Sequence, residues 1–492
     1  MLKNLSVLAT LFISGFVNTQ TISADKYFKS AVDHGKTGGC TGLDQPPGDQ
    51  MYYDHSSSIK PWSQEDTVAF PQEYKVLMSQ RLEQYVNMTL INAPPDFKCD
   101  YYGQPCNWLF VGSSSRALTF WKLYQNYKDS SKSKSAYYLD LAHQYIEGSL
   151  KDVSNDFNEY ISFVNGNVGL FAIASVIYDS LGQTDKAQYY IDQVKEVFHR
   201  PMTDKIDYDD GIPGFLYALD FLETYYDRQI FEREDVARFA YHLFDYGYQH
   251  RLDNGTLIFP EPFPDTRTSL GFGRGAAGIL FRLLQVPEML QNQTVVKHLR
   301  LTVDYMIARQ RPDGQVADIQ PGMEERVQWC HGAPSALPVF ALAYKVFGDE
   351  KYLKAADLAA DYTFKYGVLI KGMGLCHGTS SNIYMLLYLA AMTQNLKYKY
   401  YAIEMHKFAL DTPTLTDPEQ MVSYDCTGQY SSFIDSAASS IATYSDMLAY
   451  FDDSSFATLE KMWMIGWGKI SHKTDNKSHY PNTKSINKFL VQ

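Results

Sequence analysis

The chain lacks a basic surface that could meet nucleic acid. Its formal net charge is −12 at pH 7, and its 44 Lys and Arg residues gather into no block, so a phosphate backbone finds no matching field. At the N-terminus no apolar stretch is long enough to span a bilayer comfortably: the uncharged run there, Leu5 to Val17, is too short. Following Lys3, that run reads as the core of a secretory signal peptide over residues 1–20, with Val17-Asn18-Thr19 as a fair small-residue cleavage side. Asn-x-Ser/Thr sequons at Asn87, Asn254, Asn292 and Asn476 agree with secretion. A secreted monomer with no membrane span after cleavage is therefore expected; an uncleaved anchor or a cytoplasmic location is the alternative.

Cysteine is also sparse: Cys40, Cys99, Cys106, Cys330, Cys376 and Cys426, in a chain long enough to bury a large core. Cys99 and Cys106 flank a Tyr-Gly-Gln-Pro turn and could pair locally, which leaves Cys40 and Cys426 for a long-range bridge or Cys426 free. Zinc-finger spacing is absent. What the chain has instead is two Cys-His-Gly triplets, Trp329-Cys330-His331-Gly332-Ala333-Pro334 and Leu375-Cys376-His377-Gly378-Thr379, each opening a long apolar run, with the cysteines 46 residues apart. Thiolate sulfur and imidazole nitrogen suit a borderline-soft ion such as Zn²⁺, and a tertiary fold must bring these together. Two unrelated buried cysteines are the blander reading. The 38 tyrosines read as residues bridging core and surface.

Residues 21–100 read as an irregular extension holding one helix near Gln72–Leu90, with Leu77, Leu82 and Tyr85 on one side. From Cys99 onward the chain repeats. A glycine step opens an apolar run at Gly112, Gly166, Gly211, Gly275, Gly332, Gly378 and Gly428, with successive spacings of 54, 45, 64, 57, 46 and 50 residues. Repeats of that length hold one helical hairpin. The first helix of each is apolar nearly all round, as in Ile383–Met392, and must be buried on every side. The second is amphipathic: Tyr352, Ala355, Ala356 and Ala359 share a stripe that Lys354, Asp357 and Asp361 avoid. The expected fold is all-α: an α/α toroid of seven helical hairpins over 101–455, followed by a tail over 456–492. Every glycine step then lies at one end of the ring, at the N-termini of the inner helices, where the helix dipole favours thiolate.

Trp-Cys-His-Gly-Ala-Pro followed by Gly-Leu-Cys-His-Gly-x-x-x-Asn resembles the LanC-like family, the bacterial lanthipeptide cyclases and their eukaryotic relatives. The resemblance runs from about Asn107 to Asp446 and is strongest over Val327–Ala402. It implies the seven-hairpin toroid and a zinc held by Cys330, Cys376 and His377. His331 becomes a neighbour, for acid/base work or packing. The implied chemistry is thiol addition to dehydroalanine or dehydrobutyrine, with glutathione or a peptide cysteine as the thiol. Lys371 matches a lysine of glutathione-binding relatives and is the candidate for a glutathione carboxylate, though a solvated lysine accounts for it equally. Arg326 matches an arginine near the zinc that could stabilise the enolate. Three positions depart from the pattern. Asn167 stands where an acid is expected, Arg274 where a histidine is, and Tyr424–Gly428 lacks a glutamate. Asn cannot transfer protons, and Arg stays protonated. Asn167 and Arg274 are thus candidates for binding, with Arg274 drawing an anionic ligand to the cavity mouth. Cys426 could serve as a fourth ligand; a disulfide half or a buried thiol competes with that role.

Three functions compete. The intact triad favours a zinc-dependent thiol-addition enzyme. The lost acid/base groups favour a zinc-containing module that binds glutathione or peptide without turnover. Shape alone allows a glycoside-active toroid using carboxylates among Asp209, Asp210, Glu324 and Glu325.

Overall fold

A computed structural model of the chain describes residues 52–64, 68–96, 107–110, 112–151, 160–261, 268–319, 324–418 and 437–450, with a few isolated positions besides. Every described residue belongs to Pro46–Gln492, and Met1–Gln45 lies outside the described residues. Cys40, Cys99, Cys106 and Cys426 also lie outside, as do Gly428, Asn476 and the signal segment.

Fourteen helices of eight residues or more stand among the described residues. In chain order they are α1 Gln72–Asn92, α2 Ser113–Tyr127, α3 Lys132–Leu150, α4 Asn167–Ser180, α5 Thr184–Lys195, α6 Ile212–Tyr226 and α7 Arg233–Gln249. They continue with α8 Ala276–Leu283, α9 Gln293–Ala308, α10 Ala333–Phe347, α11 Glu350–Tyr366, α12 Thr379–Thr393, α13 Leu396–Leu410 and α14 Ala437–Tyr450. Strand pairing among the described residues is confined to two ladders of two residues per strand and isolated bridges.

The even-numbered helices form a closed inner ring: each packs on the next, and α14 packs back on α2. Their composition requires it. In α12 every residue from Thr379 to Ala391 is buried, which an apolar circumference demands. The odd-numbered helices form the outer layer and bury one stripe each, as α11 does with Tyr352, Ala355, Ala356, Ala359 and Ala360. The all-α toroid of seven helix pairs is thus observed. The seventh pair is not made by consecutive segments: α1, from the N-terminal side of the ring, packs against α14.

Six of the seven glycine steps fall on described residues, and each glycine is the N-cap of an inner helix. The reason is a close approach. The entry loop doubles back, so a side chain at Gly166 would strike the Tyr160 carbonyl, and one at Gly332 the Arg326 carbonyl, six residues earlier in both cases. Gly332 also has φ +88°, which disfavours a side chain independently. Neighbouring entry loops are stitched by backbone bonds. Asn165 N donates to Asp209 O (3.0 Å), and Tyr208 N to Gly273 O (2.9 Å). This gathers the loops of successive repeats at one end of the ring.

Candidate metal and thiol site

At that end the entry loops of α10 and α12 meet. Gln328 and His331 exchange two backbone hydrogen bonds of 3.0 Å, so Trp329 and Cys330 sit on a tight turn just ahead of the helix. Gln315 is buried and fastens that turn: its Nε2 donates to Arg326 O (2.8 Å), and its Oε1 accepts from Ala333 N (2.8 Å). From the next repeat, Asn382 Nδ2 donates to Val327 O (2.9 Å) and to Gly367 O (2.9 Å). The two Cys-His-Gly loops are thereby locked to each other.

The lock brings one ligand atom each from Cys330, Cys376 and His377 within 4.8 Å of one another. Cys376 Sγ and His377 Nε2 are 3.6 Å apart, close to the ~3.5 Å edge of a tetrahedron with Zn–S near 2.3 Å and Zn–N near 2.05 Å. Both cysteines are buried and unpaired by any disulfide. Burial would push the Cys330 thiol up, but its bond with Cys376 and the charges of His377 and His331 override this and hold it well below the ordinary thiol range. Two buried sulfurs and one imidazole at this spacing fit a zinc ion. Among the described residues the cluster holds these three ligands and no fourth. Cys426 lies outside them.

His331 is not part of the triad. Its Nδ1–H donates to Asp318 Oδ2 at 2.6 Å. Asp318 is fully buried and also accepts from Ser269 Oγ (2.8 Å) and Leu270 N (3.0 Å). Burial opposes charge on both partners, yet their mutual bond prevails: the Asp318 carboxyl is held below its usual range and the His331 imidazole above its own.

A third cluster lies on the entry loop of α6, whose Asp207, Asp209 and Asp210 are all at least nine-tenths buried. Arg274 Nε lies 3.4 Å from Asp209 Oδ2, and its Nη2 3.6 Å from Asp210 Oδ2. Burial raises Asp207 to about 8, reinforced by Asp210 and Asp209. Burial likewise raises Asp209 to about 7, against the pull of Arg274, with Asp210 and Cys330 adding to the rise. Arg274 is held above its usual range, because the three carboxylates outweigh its own desolvation. Its charge is thus met by carboxylates of the protein itself. Asn167, at the first turn of α4, is buried, and its Oδ1 accepts from Trp108 Nε1 at 3.4 Å.

Lys371 and Arg326 come together. Both line a cavity of about 300 Å³ with Arg311, Tyr52, Tyr362, Tyr366 and Gln328. Gln328 joins that cavity to the triad, since its Nε2 donates to Cys330 Sγ at 3.1 Å. Glu324 and Glu325 are exposed, with Glu325 bonded to Arg311 (2.5 Å), whereas Asp209 and Asp210 are buried beside Arg274. Sequence reasoning named the triad, His331, Arg326 and Lys371; it missed Asp207, Asp318, Gln328 and Arg311. Asp318 had a local signal, a lone acid within Val316-Ala317-Asp318-Ile319. Gln328 had none beyond standing two residues before the cysteine.

Comparison with known proteins comes to the same region. A family model described as lanthionine synthetase C-like protein matches residues 107–419. Glutathione S-transferase LANCL1 of Danio rerio is 24% identical over 302 residues, covering 60% of this chain and 72% of its own. Among solved structures, nisin cyclase superposes with a TM-score of 0.53 at 15% identity, over 79% of this chain and 96% of its own. That superposition speaks to the fold.

Proposed function

Because the chain belongs to the lanthionine synthetase C-like family, we propose that it is a zinc protein that activates a thiol, glutathione or a peptide cysteine, for addition to a dehydroamino acid. The convergence of Cys330, Cys376 and His377 supports this reading most directly. Zinc held by these three would supply Lewis-acid stabilisation of a substrate thiolate at neutral pH. The remaining work falls to the chain's own side chains.

Lys371 and Arg326 line the cavity beside the triad and offer two cations to the carboxylates of glutathione or to a peptide terminus. In the addition, the thiolate sulfur bonds to the alkene β-carbon and the π pair moves onto the α-carbon and its carbonyl as an enolate. Arg326 is the candidate for the enolate oxygen. One proton then closes the reaction at the α-carbon, and nothing is oxidised or reduced. His331, oriented by Asp318, is the candidate to deliver it. Of the three positions that depart from the family pattern, Arg274 lies against Asp209 and Asp210, Asn167 is bonded to Trp108, and Tyr424–Gly428 lies outside the described residues. Arg274 and Asn167 are assigned to shaping the mouth of the site. The sequons at Asn87, Asn254 and Asn292 are at exposed residues, which supports passage through the secretory pathway as part of the same reading.

The Danio rerio relative is named for glutathione transfer, and the test follows from that. A dehydroalanine peptide is incubated with glutathione and protein, and its mass is followed. Gain of the glutathione mass well above the uncatalysed background, falling to background in Cys376→Ala, is expected. Measurable glutathione binding without any such gain would replace this reading with a binding module, which the substitutions at 167 and 274 favour.

A further inference from the structure

Cys330 receives a side-chain hydrogen bond that does not come from the metal-ligand set. The donor is Gln328, 4% exposed, with its Nε2 3.1 Å from Cys330 Sγ. A thiolate has no proton to give, so the amide must present its N–H to it. Gln328 is held in place from both sides. Its backbone exchanges two bonds with His331, and the preceding carbonyl, Val327 O, accepts from the buried Asn382 of the neighbouring repeat. The backbone from which the side chain springs is therefore fixed to the turn that carries Cys330. Gln328 also lines the cavity that holds Lys371 and Arg326, so one amide touches both the ligand pocket and a metal-binding sulfur.

We propose that Gln328 is a positioning residue for the metal-binding thiolate, aiming Cys330 Sγ and drawing charge from it across the wall of the substrate cavity. This rests on the zinc reading above. The physical reason is electrostatic. A sulfur that shares its charge with an N–H donates less to a metal, so the metal keeps more of its pull on the incoming thiol. Groups that hold a metal ligand from outside its coordination sphere fix its orientation and are commonly as consequential as the ligand itself. Removing the amide frees the sulfur to donate fully and to wander.

Cobalt(II) provides the test, because its sulfur-to-metal charge-transfer band reports thiolate donation without any turnover. The full chain is stripped of metal and loaded with one equivalent of cobalt, as wild type and as Gln328→Leu. The Leu variant should bind cobalt with its charge-transfer band moved to longer wavelength. Gln328→Asn, whose amide is one methylene shorter, should move the band the same way and serves if Leu at this buried position prevents folding. An unmoved band in a folded, cobalt-loaded variant would overturn the inference and leave the zinc reading standing. A wild type that binds cobalt without a thiolate band, or binds none, would overturn both.

Discussion

At the scale of single residues, the placement of titratable groups decides where pH acts. His406 on α13 is fully buried, and neither ring nitrogen has a hydrogen-bond partner among the described residues. Its ring is packed between Phe70 (5.5 Å between centroids) and Tyr444 (5.6 Å). Burial lowers its pKa to about 3. The unfolded chain binds a proton here near pH 6.5 and the folded chain does not, so the unfolded state holds more protons and stability falls as pH falls from about 6.5 towards 3. At pH 5 the loss from this one group is about 2 kcal/mol. Urea midpoints at pH 7.5 and pH 5 measure it. His406→Leu should narrow the gap between them by about that amount, and an unchanged gap would refute the assignment. The candidate site was legible at this scale only where its residues lie within one motif. Cys330, Cys376 and His377 announce themselves because two copies of one tripeptide carry them. Asp318 and Gln328 act through bonds that exist only once the entry loop of α10 has folded back.

At the scale of elements, the glycine steps made the inner helices readable, since each of the six on described residues marks a loop that returns onto its own helix start. Ring closure was not readable. The pairing of α1 with α14 joins segments more than three hundred residues apart and has no local sequence signal. What fastens the closure is polar and buried. Asp446 on α14 lies 2.7 Å from Lys122 Nζ of α2, accepts from Asn126 Nδ2 of α2 (2.9 Å), and accepts from Tyr384 OH of α12 (2.7 Å). One carboxylate thus ties α14 to both of its ring neighbours. Lys122 and Asp446 are almost wholly buried, so removing one partner strands the other charge. Asp446→Ala should cost roughly 3–5 kcal/mol. Combining Asp446→Leu with Lys122→Met should recover a large part of that loss, because no charge is then left unpaired. Denaturant unfolding of the single and double variants reads the difference. A double variant no more stable than the single would show that the loss comes from packing and not from a stranded charge.

At the scale of the whole molecule, the toroid explains why the chemistry gathers where it does. Hairpins that all run the same way deliver every inner-helix N-terminus to one end. Residues from the third to the sixth inner helices' entry loops, Asp209, Arg274, Cys330 and Cys376, therefore share a neighbourhood despite their distance in sequence. Family membership and fold are secure on the match over residues 107–419; the metal is the pivot on which the functional reading turns. Zinc content of the purified protein, measured beside Cys376→Ala, tests it most directly. About one zinc per chain in wild type, lost in a variant that keeps its helical content, is the expected result for a three-ligand site. A well-folded wild type that holds no zinc and takes none up would contradict it, and would leave the two Cys-His-Gly motifs as packing at the starts of two helices.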